Sequence, residues 1–236
     1  MPTCTHAVAP EVELSATSTI LAERLSGAVS DAQDAALALC EHRRLRTLYP
    51  ELLRLFHGVV RASVPLLKAA EHEAVRRSAS GDPVASQLVP YLQEHAVEEL
   101  HHDEWLLVDY AAVGLAPQDV LERPPSPMVA AMVGATYYWI RHWHPVVILG
   151  FLVATEGWPP AATLIDDLQR RTGYPPEAFA TLRHRAGLDP DHELWGMLDR
   201  LPLTDSQLRV IGDAAAQALT FETAALRELL GGTEGD

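Results

Sequence analysis

Apolar residues recur at helical spacing along most of this chain, and the most informative stretch is one where ionisable groups interrupt the pattern. From Leu88 to Val113 a stripe at alternating four- and three-residue steps reads Leu88, Leu92, His95, Glu99, His102, Leu106, Asp109 and Val113. Such a stripe faces the interior of a helical bundle. A carboxylate buried there is costly unless it is charge-paired, protonated or bound to a metal. Two histidines and a glutamate on consecutive turns are a metal-ligand set that needs partners from other helices.

The rest of the pattern predicts helices joined by short connections. Helices are expected to begin near Ser15 and Asp31, and a long one spans about Leu48 to Ser78 with a kink at Pro65. Asp82 and Pro83 supply an N-cap and first helical residue for the striped helix, which is expected to run unbroken to Gly114. Ser126-Pro127 repeats that start for a very apolar helix running to Thr155 with a kink at Pro145. Further helices are expected over Pro160 to Arg171, in broken form over Glu177 to Arg200, and from the capping box Thr204-x-x-Gln207 to Leu230. No alternating strand pattern, repeat or low-complexity tract is visible. The expected fold is an all-α, seven-helix bundle: residues 1–14 disordered, residues 15–236 a single helical domain.

Composition narrows the function classes. A formal charge of −14 argues against nucleic acid or anionic membrane as the partner, since both reward basic surfaces. The longest apolar run, Pro145 to Thr155, is too short to span a bilayer. Cys4 and Cys40 have no paired spacing, so neither a disulfide framework nor a zinc knuckle is expected, and a reducing cytoplasm suits them. The first residues lack the regions of a signal peptide, which also favours a cytoplasmic location. A small-molecule substrate is the expected partner, and a homodimer is compatible with the sequence.

Three segments carry the candidate chemistry. In the first, Glu99 and His102 are three apart and Glu98 and His102 four apart, so either pair can reach one ion from one helix face. His101, Asp103 and Glu104 fit a solvated acidic face, whereas leucines bracket His95, Glu99 and His102 along the stripe. In the second, Glu156 ends an apolar helix, where the dipole disfavours a carboxylate and a metal or a surface arginine would relieve it. In the third, Asp189 and His192 have ligand spacing, although Asp189 before Pro190 also reads as an N-cap. Glu73 and Glu222 lie on otherwise apolar stripes and are expected to support the site or pair with arginines. His57, His142 and His144 read as core or capping residues. Tyr137, Tyr138, Trp139, Trp143 and Phe151 are available to line a cavity.

Glu98-Glu99-Leu100-His101-His102-Asp103-Glu104-Trp105, then Pro145 to Gly157, then Leu188-Asp189-x2-His192 resemble, in order and spacing, the haem-oxygenase-like diiron oxidases and oxygenases. The resemblance covers about Leu48 to Leu230. It implies two ferrous ions, dioxygen as co-substrate, and N-oxygenation or oxidative carbon–carbon cleavage of small amines, amino acids or fatty acids; an amine or amino-acid-like substrate, in natural-product biosynthesis, is the leading reading. Carried over residue by residue, it makes Glu99, His102, Glu156, Asp189 and His192 the ligands, with Glu98, His95 and His184 as alternates. The family has a histidine four residues before the late aspartate, and here that position is Arg185, with His184 one residue off register. An arginine beside the site would anchor a substrate carboxylate. The rivals are a metal-free oxidase or thiaminase-type hydrolase of the same fold, using histidine and glutamate as acid and base, and a non-catalytic binding protein.

Overall fold

The computed structural model describes residues 16–187 and 194–231. Residues 1–14 and the Asp189–His192 pair therefore lie outside the described residues. Among the described residues there is no strand, in agreement with the expected all-α class.

The chain order is α1 (Ala16–Glu41), α2 (Leu45–Ser78), α3 (Pro83–Glu98), α4 (His102–Ala112), α5 (Pro117–Glu122), α6 (Pro127–His142), a 3-10 turn (Pro145–Val147), α7 (Ile148–Glu156), α8 (Ala162–Thr172), a second 3-10 turn (Pro176–Phe179), α9 (Ala180–Ala186), α10 (Gly196–Arg200) and α11 (Asp205–Gly231). The two helices expected from Ser15 and Asp31 are one, α1. Two long helices frame the bundle: α2 packs on α3, α4 and α6, and α11 packs on α1, α6 and α7. Thr204 and Gln207 form the expected capping box, with Gln207 N donating to Thr204 Oγ1 and Thr204 N to Gln207 Oε1. No described helix is long and apolar enough to cross a membrane.

Three departures from the sequence reading matter. The striped helix is not continuous: it breaks after Glu98, and His101 takes the left-handed conformation at φ 70°. A non-glycine residue there costs about 1–2 kcal/mol, though histidine tolerates it better than most. The break leaves His95 on the last turn of α3, Glu99 as its C-cap and His102 at the start of α4. The apolar helix expected from Pro127 to Thr155 is likewise cut, because Pro145 cannot donate to a helix running through it. Finally, Cys40 is buried and disulfide-bonded. Sequence spacing does not report spatial proximity, so the bond contradicts the expected absence of a disulfide, and the cysteines do not favour a reducing compartment.

The short helix α7 is buried on every side from Ile148 to Ala154. Its start is pinned to the start of α3. Asp82 Oδ1 accepts from Ala85 N while Asp82 Oδ2 bonds His144 Nε2 at 2.9 Å. His144 Nδ1 accepts from Val146 N, which fixes the ring as the Nε2–H tautomer facing Asp82. One buried histidine thus links the two elements that carry His95 and Glu156.

Candidate functional site

His95 enters the interior because it occupies the core face of α3, one turn beyond Leu92, and Tyr91 stacks on its ring at 5.4 Å with planes 10° apart. Glu99 follows one turn later with 14% of its side chain exposed. Glu156 arrives from the last turn of α7. One donor atom from each of His95, Glu99 and Glu156 lies within 4.8 Å of the other two. Donors around a first-row ion at about 2.1 Å stand about 3 Å apart in cis and about 4.2 Å in trans positions, so a small contraction suffices.

His95 Nε2 is the most telling atom. It is buried and 3.3 Å from Glu156 Oε2, yet it makes no hydrogen bond of acceptable alignment. A ring nitrogen and a carboxylate facing each other at this distance can share a proton in the metal-free protein and a cation in its place. On the other side of the ring, Nδ1 lies 3.3 Å from Glu98 Oε2 and orients the imidazole.

The remaining expected residues are distributed around this group. His102 Nδ1 bonds Glu99 Oε1 at 2.9 Å, so His102 reaches the cluster through Glu99. Arg185 comes from α9 and donates to the carbonyl of Thr155, the residue before Glu156. His184 is exposed and stands against Trp105 at 4.9 Å and His102 at 6.1 Å, edge to face; the regular helix Ala180–Ala186 contains no bulge that would turn it inward. Asp109, the fourth ionisable residue of the stripe, has a structural task. Its Oδ2 accepts the backbone N–H of Thr181 at 3.0 Å and ties α4 to the beginning of α9. Burial raises its pKa against that hydrogen bonding.

Other expectations resolve simply. Glu73 pairs with Arg76 and Arg77 at the surface of α2. His57 is buried, and His144 caps the 3-10 turn. Tyr138, expected as a cavity residue, is 61% exposed. Sequence reasoning missed Tyr91 and quoted Trp105 only as the end of a motif, without a role. Each lies one helical turn from a candidate ligand, the signal that could have found them.

The charges are strongly interdependent. Burial alone would lower the pKa of His95, but Glu156, with Glu99 and Glu98, outweighs it and pushes the imidazole up to about 9. Burial likewise works to raise the Glu99 pKa, and His102, His95 and Arg185 together hold it below the usual value. Glu222 on α11 is pushed up to about 7 by burial, with Arg185 acting in the opposite sense.

These shifts carry a pH dependence of the metal-free protein. With its folded pKa raised, His95 contributes stability that is complete below 6.5 and lost as pH rises through about 9. Glu222 acts in the same direction over a lower window, from 4.5 to about 7. The metal-free protein is expected to lose up to about 3 kcal/mol through His95 as pH rises, seen as a falling urea midpoint. His95→Gln should flatten the upper limb, and a flat wild-type profile between pH 6.5 and 9 would contradict the pairing with Glu156.

Similar proteins place this site in context. None of the curated proteins matches the sequence. A domain of unknown function with a haem-oxygenase-like fold from Shewanella denitrificans OS217 superposes with a TM-score of 0.72 at 16% identity, covering 92% of this chain and 89% of that one. A CadD-like protein of unknown function from Nostoc punctiforme PCC 73102 gives 0.62 at 15% identity, covering 92% and 94%. A TenA homolog from Pseudomonas syringae pv. tomato str. DC3000 gives 0.59 at 12% identity, covering 97% and 99%. These likenesses establish the fold as haem-oxygenase-like, with its helices cut into shorter pieces than the expected seven. The sequence profile of one family spans residues 55–223, which include every residue of the candidate cluster, and by that match the chain belongs to the iron-containing redox enzymes.

Proposed function

We propose that this protein is an O2-activating oxidase or oxygenase that holds ferrous iron on His95, Glu99 and Glu156 and acts on a small amine or amino-acid-like substrate. The observation that carries this reading is the convergence of one imidazole and two carboxylates, with the buried His95 Nε2 turned towards Glu156 at 3.3 Å. Such a donor set suits a first-row ion, and bound ferrous iron would supply the electrons for dioxygen chemistry.

The chain's own residues prepare the site. Glu98 and the stacked Tyr91 orient the His95 ring so that Nε2 faces Glu156. His102 holds Glu99 by its Oε1. The carboxylates of Glu98, Glu99 and Glu156 give the neighbourhood an acidic character that attracts an ammonium group and repels anions. Membership of an iron-containing redox family supports the metal, and the acidic surroundings support the amine.

A second reading draws on the same contact. His95 and Glu156 at 3.3 Å are also a plausible acid–base pair for a metal-free reaction. Anaerobic ferrous titration of metal-free protein separates the two, followed by oxygen uptake in the presence of small amines and amino acids. Stoichiometric iron binding and substrate-dependent oxygen uptake are expected. Absence of iron binding, with turnover unaffected by a chelator, would assign the acid–base reading instead.

A further inference from the structure

The last turn of α7 carries Glu156, and the chain cannot finish that turn with its own backbone. A helical carbonyl bonds the N–H four residues on, and the residues four beyond Thr155 and Glu156 are Pro159 and Pro160, which have none. The donor comes from another helix: the guanidinium of Arg185, on α9, bonds the Thr155 carbonyl. A cation suits this end of a helix, where the dipole is negative. We propose that Arg185 is a positioning residue, which caps α7 in place of the N–H that Pro159 lacks and thereby holds Glu156 against His95. Its effect on metal rests on the iron reading of the site, whereas the cap itself does not. Arg185 then has a task other than ligating an ion or anchoring a substrate carboxylate.

A cap delivered from a neighbouring helix positions its target only if that helix is itself fixed, and α9 is. Its own N-cap, Phe179, supplies no side-chain bond. Asp109 of α4 does so instead, its Oδ2 accepting the Thr181 N–H at 3.0 Å in a residue only 1% exposed. Arg183 adds bonds to Asp166 and Gln169 of α8. Helices α4 and α8 thus hold α9, and α9 holds the end of α7. The 3.3 Å approach of His95 Nε2 to Glu156 Oε2 depends on that end staying in place, since converging donors tolerate little displacement.

The sign of the effect separates positioning from plain electrostatics. A guanidinium near the donors repels a divalent ion, so deleting its charge alone would tighten binding, whereas deleting a cap weakens it. Metal-free wild type, Arg185→Met, Pro159→Ala and the double variant are titrated anaerobically with ferrous ion, and with Mn2+ followed by the EPR signal of the free ion. Methionine keeps an apolar stem and loses every donor. Arg185→Met should bind both ions about 10–100-fold more weakly than wild type. Adding Pro159→Ala, which returns an N–H four residues after Thr155, should recover most of that loss. Unchanged or tighter binding in Arg185→Met would overturn the inference, as would a double variant no better than Arg185→Met. If wild type binds neither ion, the iron reading fails, and hydrogen exchange of the metal-free proteins decides the cap. Amides in the last turn of α7 should exchange faster in Arg185→Met and regain protection in the double variant; equal exchange in wild type and Arg185→Met overturns it. Should Arg185→Met fail to fold, recovery of the fold by added Pro159→Ala supports the cap, and no recovery overturns it.

Discussion

Glu99→Ala is expected to weaken ferrous binding by more than about 100-fold and to lower the stability of the metal-free protein while leaving it helical. The magnitude follows from its position: Glu99 contributes one of three converging donors, and loss of supporting residues around metal sites alone typically costs 10–100-fold. Stability should fall because the Glu99 carboxylate is held below its usual pKa by His102, His95 and Arg185, and its removal takes a favourable partner from each of them. His102→Ala should cost less, within that 10–100-fold range, since His102 touches the cluster by holding Glu99 Oε1. Glu98→Ala, at a side chain 45% exposed, should cost least. Anaerobic titration of the three variants checks the order, with circular dichroism confirming the fold. Wild-type affinity in Glu99→Ala would show that the ion binds elsewhere.

Gly150→Ala is expected to destabilise the protein by about 3 kcal/mol and to impair metal binding, although Gly150 touches no candidate ligand. A Cβ built at Gly150 would stand 2.5 Å from the Ile211 carbonyl oxygen, 3.0 Å from Ala215 N and 3.1 Å from Ala214 Cβ. Most of the obstruction is backbone, so α7 and α11 must separate. Because Glu156 ends α7, the separation also shifts it relative to His95. Gly58→Ala is the control, where the added Cβ meets Val129 Cγ1 at an ordinary 3.5 Å. That change should stabilise α2 by several tenths of a kcal/mol, up to about 1 kcal/mol. Urea midpoints for the two variants check the contrast. Equal midpoints would show that α7 and α11 tolerate separation.

The helical class and the polar stripe were legible because periodicity is a local property. Leu88, Leu92, His95, Glu99, His102 and Leu106 declare an interior face whatever surrounds them. Glu156 was legible for a similar reason, as a charge at the end of an apolar helix. The left-handed turn at His101 was not, because no glycine marks it. Its left-handed backbone is an energetic cost sustained by the packing of α3 and α4 on α2.

The choice among candidate ligands was also tertiary. The sequence favoured His102 over His95, and the fold brings His95 to Glu156 while setting His102 behind Glu99. Asp109 showed the same polar signature on the stripe as Glu99, yet it meets the N–H of Thr181 and ties two helices together. The position of Arg185 could be read as a departure from a ligand pattern, but its bond to Thr155 and its action on Glu99 and Glu222 could not. The sequence by itself therefore determined the all-α class and which helix faces carry charge inward, because those depend on residues a few positions apart. Tertiary structure decided which charges meet, because residues 95, 99 and 156 are brought together by the packing of α7 in the bundle and the turn between α3 and α4, distances no local spacing encodes.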